Sequence, residues 1–249
     1  MHIQEKSFNE SVSLCLTIEK HWLFLQRGLD QGINADKALL LLTYVLRLME
    51  LLARSDTKIK LLQELSYFEE RIQNLKFDKS DDSHVKQALL KRDDVVKKLT
   101  HASRILAAPL LVDPFLRQFY YRQECLYDSP ACETWCAQSE EEIKLQIHYW
   151  MHFLTAAWQS VEIILWSIRA TGVYQDVTVQ SGVYRQEGDS GVLNISLVRV
   201  SQPSHIIYPV LSVARRWLVL TLYEGRWSEG AYKHEQLARE HRIQLAVCS

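Results

Sequence analysis

Two cysteines and two histidines stand close to zinc-finger spacing: Cys132-x3-Cys136 and, after eleven intervening residues, His148-x3-His152. Such a set could hold one zinc ion and make the chain a zinc- or nucleic-acid-binding module. Against that, the intervening AQSEEEIKLQI is acidic and lacks the phenylalanine of a finger core, whereas a helix facing DNA is basic. A second chemistry pairs Cys136 as nucleophile with His148 as base, a pairing set by the fold and not by sequence distance. Asp93-Asp94 is a carboxylate pair, but neighbours on a helix point to different sides, as on a solvated face. There is no phosphate-cradling glycine loop and no nucleophile elbow, and the eight glycines fall mostly in turns. The expectation is a chain that is not an enzyme, carries no cofactor or metal, and works by contact between surfaces.

With 249 residues the chain can bury a sizeable core as one large domain or two unequal ones. Its 29 basic and 30 acidic residues balance, so no global field draws it to nucleic acid or an anionic membrane, and electrostatic recognition must be local. MHIQEKSFNE has no apolar signal region, and the longest apolar stretch, 38–46, is too short to cross a bilayer. Five scattered cysteines do not resemble a disulfide framework. A cytoplasmic chain with reduced thiols and no membrane or nucleic-acid partner is expected.

Positioning falls to two kinds of element. Ile143, Ile147, Trp150, Leu154, Ala157, Val161, Ile164 and Ile168 recur at spacings of four and three, which predicts one unbroken helix with an apolar seam, its start marked by SEEE. Upstream, similar seams predict a helix through Cys15–Leu29 that stops near Gly32, and a second through Ala38–Leu52 capped by Asn34. A third, through Leu61–Leu75, takes Ser55 and Asp56 as N-cap oxygens. A longer helix runs to Pro109, a short aromatic one spans Phe115–Tyr127, and DSPACETWCAQ is an irregular loop. Five to six helices therefore precede a change of period after Gly172, where β-branched, aromatic and polar residues alternate. Strands are expected at 174–179, 183–186, around Leu193–Leu197, 206–210, 216–223 and in RIQLAVCS, with a turn at EGDSG and a short helix near Glu235–Glu240. The fold class is α+β: an N-terminal all-helical bundle, 1–172, packed against a C-terminal antiparallel β-sheet domain, 173–249.

Several stretches together resemble the ZapD family of bacterial division proteins. Arg54–Leu65 (RSDTKIKLLQEL) is similar to the family's arginine, small, acidic, variable and basic residues ahead of a leucine-rich helix. Trp150, Leu154, Leu165, Ile168 and Arg169 repeat its seam. Asn9-Glu10, Phe115-Leu116-Arg117, Gly182 with Tyr184, Leu193–Leu197 and Tyr208-Pro209 follow in the family's order. Each motif alone is common; order and spacing carry the likeness. The chain departs where the family is basic: Ser13, Thr17 and Thr221 stand in place of arginines, and SPACETW has no histidine.

The resemblance implies a homodimer that binds the flexible C-terminal tail of the tubulin-like protein FtsZ and bundles its filaments at the division site. A disordered tail is ordered on binding, so one site should be weak and two sites on a dimer should act by avidity. Arg54, Lys58, Arg117, Arg215 and Arg216 lie on matching motifs and are the residues expected to meet an acidic tail. Alternatively, Arg54 and Lys58 are solvated helix charges, and Arg215-Arg216 guards an edge strand.

Overall fold

The computed structural model describes residues 2–74, 82–187, 195–202, 206–214, 216–228 and 231–248. These divide into two compact units: Leu14–Glu70 with Lys76–Leu165, and Met1–Ser13 with Arg71–Leu75 and Trp166–Ser249. Helices fill the first and antiparallel strands the second, so the chain is α+β.

Ten α-helices are present among the described residues, more than the five to six expected. They are α1 (Glu10–Leu29), α2 (Ala35–Ala53), α3 (Thr57–Ser66), α4 (Phe68–Asn74), α5 (Asp82–His101), α6 (Ala108–Leu111), α7 (Pro114–Tyr120), α8 (Pro130–Cys136), α9 (Glu140–Phe153) and α10 (Thr155–Thr171). A 3-10 turn at Gln123–Leu126 follows α7. The surplus comes from breaks that do not disturb the apolar phase. The seam of eight residues is buried throughout, but Leu154 interrupts it: its N–H reaches back to Met151 and His152, and the Trp158 N–H restarts the ladder on the Leu154 carbonyl at 3.0 Å. Likewise Tyr67 ends α3, so the seam through Phe68 and Ile72 belongs to α4. The expected loop DSPACETWCAQ contains α8, started by Pro130 and capped by the Ser129 hydroxyl on the Cys132 N–H. In turn α5 stops at His101, short of Pro109, and the aromatic helix α7 stops at Tyr120.

At the centre of the helical unit is α2, which buries Ala38, Leu41, Leu42, Val45, Leu46, Leu48, Met49 and Leu52. Its near-continuous leucines are explained by neighbours on several sides, since α3, α6, α7, α8 and α9 all pack on it. The Asn34 carboxamide accepts from the Lys37 N–H at 2.9 Å, as the sequence suggested. Ser139 and Glu142 form a reciprocal capping box at the start of α9.

The other unit holds β1 (His2–Ser7), β2 (Gln175–Val179), β3 (Val183–Glu187), β4 (Leu197–Gln202), β5 (Ile207–Val213), β6 (Trp217–Ser228), β7 (Ala231–Gln236) and β8 (His241–Cys248). One sheet has the order β1-β4-β8-β2. The other has β3-β6-β5, with β7 beside the far half of β6. Every pairing is antiparallel. The two sheets share one core, built from Val177, Val179, Val198, Val200, Ile207, Leu218, Leu220, Leu222, Ile243 and Leu245. Two assignments change. His2–Ser7, placed by its sequence in the helical region, is an edge strand, and Glu235–Glu240 contributes to β7 instead of a helix. Glu187 ends β3, whereas the rest of the EGDSG turn, with Leu193 and Asn194, lies outside the described residues.

Candidate functional site

The expected basic residues fall in different places. Arg54 is the C-cap of α2, where the chain turns into α3. That turn is fixed by fully buried Thr57, whose hydroxyl donates to the Leu51 carbonyl at 2.7 Å and whose N–H donates to the Arg54 carbonyl at 3.3 Å. Asp56 was expected as an N-cap, but its side chain accepts no capping bond from α3. Its carboxylate instead takes Lys60 Nζ at 2.8 Å and Arg54 at 3.2 Å. The Lys60 hydrogen bond, with Arg54 adding to it, holds the Asp56 carboxyl down at about 2. One turn into α3, Lys58 donates to the Thr100 and Ala102 carbonyls at 3.0 and 2.7 Å, closing the C-terminal end of α5.

This corner gathers a cation that its sequence gave no reason to select. The chain leaving α5 is pinned at Ala102 by Lys58, and again where the Ala107 N–H donates to the Leu52 carbonyl at 3.2 Å. Between these two pins Arg104 stands exposed. Arg54, Lys58 and Arg104 thus occupy one corner of the helical unit, on three separate segments. The only signal for Arg104 was its charge, because 50 residues separate it from Arg54 in sequence.

Arg117 is exposed on α7, in the same unit. The Asp113 carboxylate that starts α7 accepts from the Phe115 and Leu116 N–H groups, both at 2.9 Å, and from buried Trp150 Nε1 at 3.1 Å. Phe115 stacks on Trp150, and Trp135 lies beside both rings. The tryptophan seam therefore fixes the helix that presents Arg117. Arg216 is exposed just ahead of β6 in the sheet unit, and Arg215 lies outside the described residues.

A second arginine cluster has the opposite character. On β1, Glu5 accepts from Arg169 Nε and Nη2 at 2.9 and 2.6 Å and from Arg199 Nε at 2.8 Å. The three side chains are at most one-quarter exposed, and Arg199 also lies over the Tyr174 ring at 5.4 Å. Arg169 closes the seam motif, so its position is explained by holding the first strand onto the sheet unit.

The zinc set does not assemble. Cys132 is buried on α8, while His148 and His152 are exposed on α9, whose buried face is Ile143, Ile147, Trp150 and Met151. Among the described residues no three of His, Cys, Asp and Glu are placed to share a metal ion. Burial and the neighbouring Cys132 push the Cys136 thiol up to about 12, which leaves it without the thiolate a nucleophile needs. Asp93 and Asp94 pair separately, with Arg92 and Lys98, both at 2.6 Å. No described helix is long and apolar enough to cross a membrane.

Residues 23–220 match the profile of the ZapD family, described as a cell division protein. The chain is 26% identical over 252 residues to the cell division protein ZapD of Coxiella burnetii strain RSA 331, covering 98% of this chain and 96% of that protein. It is 25% identical over 227 residues to ZapD of Pectobacterium atrosepticum, covering 84% of each. With ZapD of Enterobacter sp. strain 638 it shares 26% over 177 residues, covering 66% of this chain and 68% of that one. The likeness spans both the helical and the sheet regions, and the chain belongs to the ZapD family of cell division proteins.

Proposed function

We propose that the chain is a non-enzymatic adaptor that binds the C-terminal tail of FtsZ and, as a homodimer, crosslinks and bundles FtsZ filaments in the cytoplasm at the mid-cell division site. The observation that carries this reading is the meeting of Arg54, Lys58 and Arg104 at one corner, in a chain of the ZapD family. Arg104 joins Arg54, Lys58, Arg117, Arg215 and Arg216 as a tail-binding candidate. Arg54 and Arg104 are the strongest, because Lys58 spends two donors on α5. The tail's acidic groups would be steered by this cationic surface and its apolar residues anchored beside it. Avidity then does the bundling: a dimer holds two tails, and tails repeat along each filament.

Sedimentation of FtsZ polymers with and without the protein, at two salt concentrations, tests the reading. It predicts added pelleting that weakens as salt rises, because exposed charges are screened. Equal pelleting with and without the protein at both salts would overturn it.

A further inference from the structure

The four-residue zinc set fails on its cysteine side, with Cys132 buried on α8, but its histidine half is intact. His148 and His152 are both exposed and stand one turn apart on α9, away from the buried face of Ile143, Ile147, Trp150 and Met151. Residues four apart on a helix have Cβ atoms about 5 to 6 Å apart, the spacing at which two imidazoles on one face share a metal ion. Among the described residues no hydrogen bond or ion pair takes up either imidazole, and the ring contact of His152 is the edge-on one with Phe153 at 6.1 Å. By contrast, His101 Nδ1 lies 2.7 Å from the Lys97 carbonyl, His234 is hydrogen-bonded to the Tyr208 hydroxyl, and His21 and His241 each have a buried ring nitrogen.

The surroundings suit a cation. Lys144, one turn before His148, has its charge offset by Glu140 at 2.6 Å. His152 lies in the last turn of α9, where the carbonyl end of the helix favours positive charge. We propose that His148 and His152 form a bidentate site for a divalent transition-metal ion, with water in its remaining positions. Neutral imidazole is a ligand for zinc, nickel and copper, with copper(II) held most tightly, whereas magnesium and calcium take oxygen ligands and gain nothing here. A bound ion staples the final turns of α9 immediately ahead of the Leu154 break. The site asks for neither FtsZ nor a second copy of the chain, so it stands or falls apart from the crosslinking reading.

The test is calorimetric titration of the full chain with zinc chloride, copper(II) chloride and magnesium chloride, beside His148→Gln, His152→Gln and the double variant. With zinc or copper the wild type should bind one ion more than the double variant. Each single variant should lose that ion or hold it at least about tenfold more weakly, because one imidazole gives up the intramolecular second contact. Magnesium should show no difference between the proteins. The two rings meet one ion only while α9 is helical, so zinc should raise the urea midpoint of the wild type above that of the double variant, the two midpoints being equal without metal. Equal stoichiometry in wild type and double variant, single variants that bind as tightly as the wild type, magnesium bound at the same pair, or one and the same zinc-induced midpoint shift in both proteins would each overturn the proposal. FtsZ is absent from these readouts, so a protein that binds the ion and fails to pellet FtsZ would sink the crosslinking reading and leave this site standing.

Discussion

Arginine does opposite work at two places in this molecule. In the sheet unit Arg169 and Arg199 close on Glu5, mostly out of water and with their donors directed inward. At the α2–α3 corner Arg54 is about half exposed and shares one carboxylate with Lys60, and Arg104 is exposed between two backbone pins. The lesson is that a basic residue at a family motif position is a recognition candidate where its charge stays in water: about half of the Arg54 side chain is exposed, against one-quarter of Arg169. Arg169 looks as conspicuous in the sequence as Arg54, and the structure separates them.

Breaking the inner cluster should have the largest effect. Arg169→Ala leaves Glu5 short of two charge-assisted bonds in a site that is mostly dry, and should cost about 2 to 4 kcal/mol in urea unfolding. Tail affinity of the folded fraction should stay unchanged. Lys58→Met keeps the stem but frees two carbonyls at the end of α5, and a loss of about 1 kcal/mol is expected by the same measurement. Arg54→Ala with Arg104→Ala should move stability by less than about 0.5 kcal/mol, as for exposed charges generally. A larger loss would place the corner with the inner cluster.

The smallest effect concerns acid. Because the Asp56 carboxyl lies at about 2 in the fold against an ordinary 3.8, its ion pairs support the corner fully above 3.8 and are lost as pH falls through about 2. Protection factors of the amides around Thr57, that is exchange corrected for its intrinsic pH dependence, should therefore fall on acidification through that window in the wild type, and far less in Asp56→Asn.

Much of this was legible in the sequence, for a physical reason. Burial imposes a period, so all eight seam residues from Ile143 to Ile168 were recognisable, and they are buried. The break at Leu154 was not, because a one-residue turn that preserves the spacing leaves no mark on the pattern. Edge strand β1 was invisible for another cause: HIQEKS has one strongly apolar residue, and what makes it a strand is pairing with β4 and with Arg169, far along the chain. The exposed ribbon misled in the same way, since β7 has no buried face to give it a period of two. At the candidate corner Arg54 and Lys58 could be named from their motif. Arg104 could not, since only the Lys58 and Leu52 contacts bring its segment there.

The central claim, that the α2–α3 corner is a recognition surface, is tested most directly by titrating a labelled FtsZ tail peptide against the wild type and against Arg54→Glu with Arg104→Glu. The account predicts an affinity lower by about 1 to 3 kcal/mol per lost contact, or roughly five- to 150-fold, in a variant that unfolds at the wild-type urea midpoint. Unchanged affinity in that folded variant would contradict it.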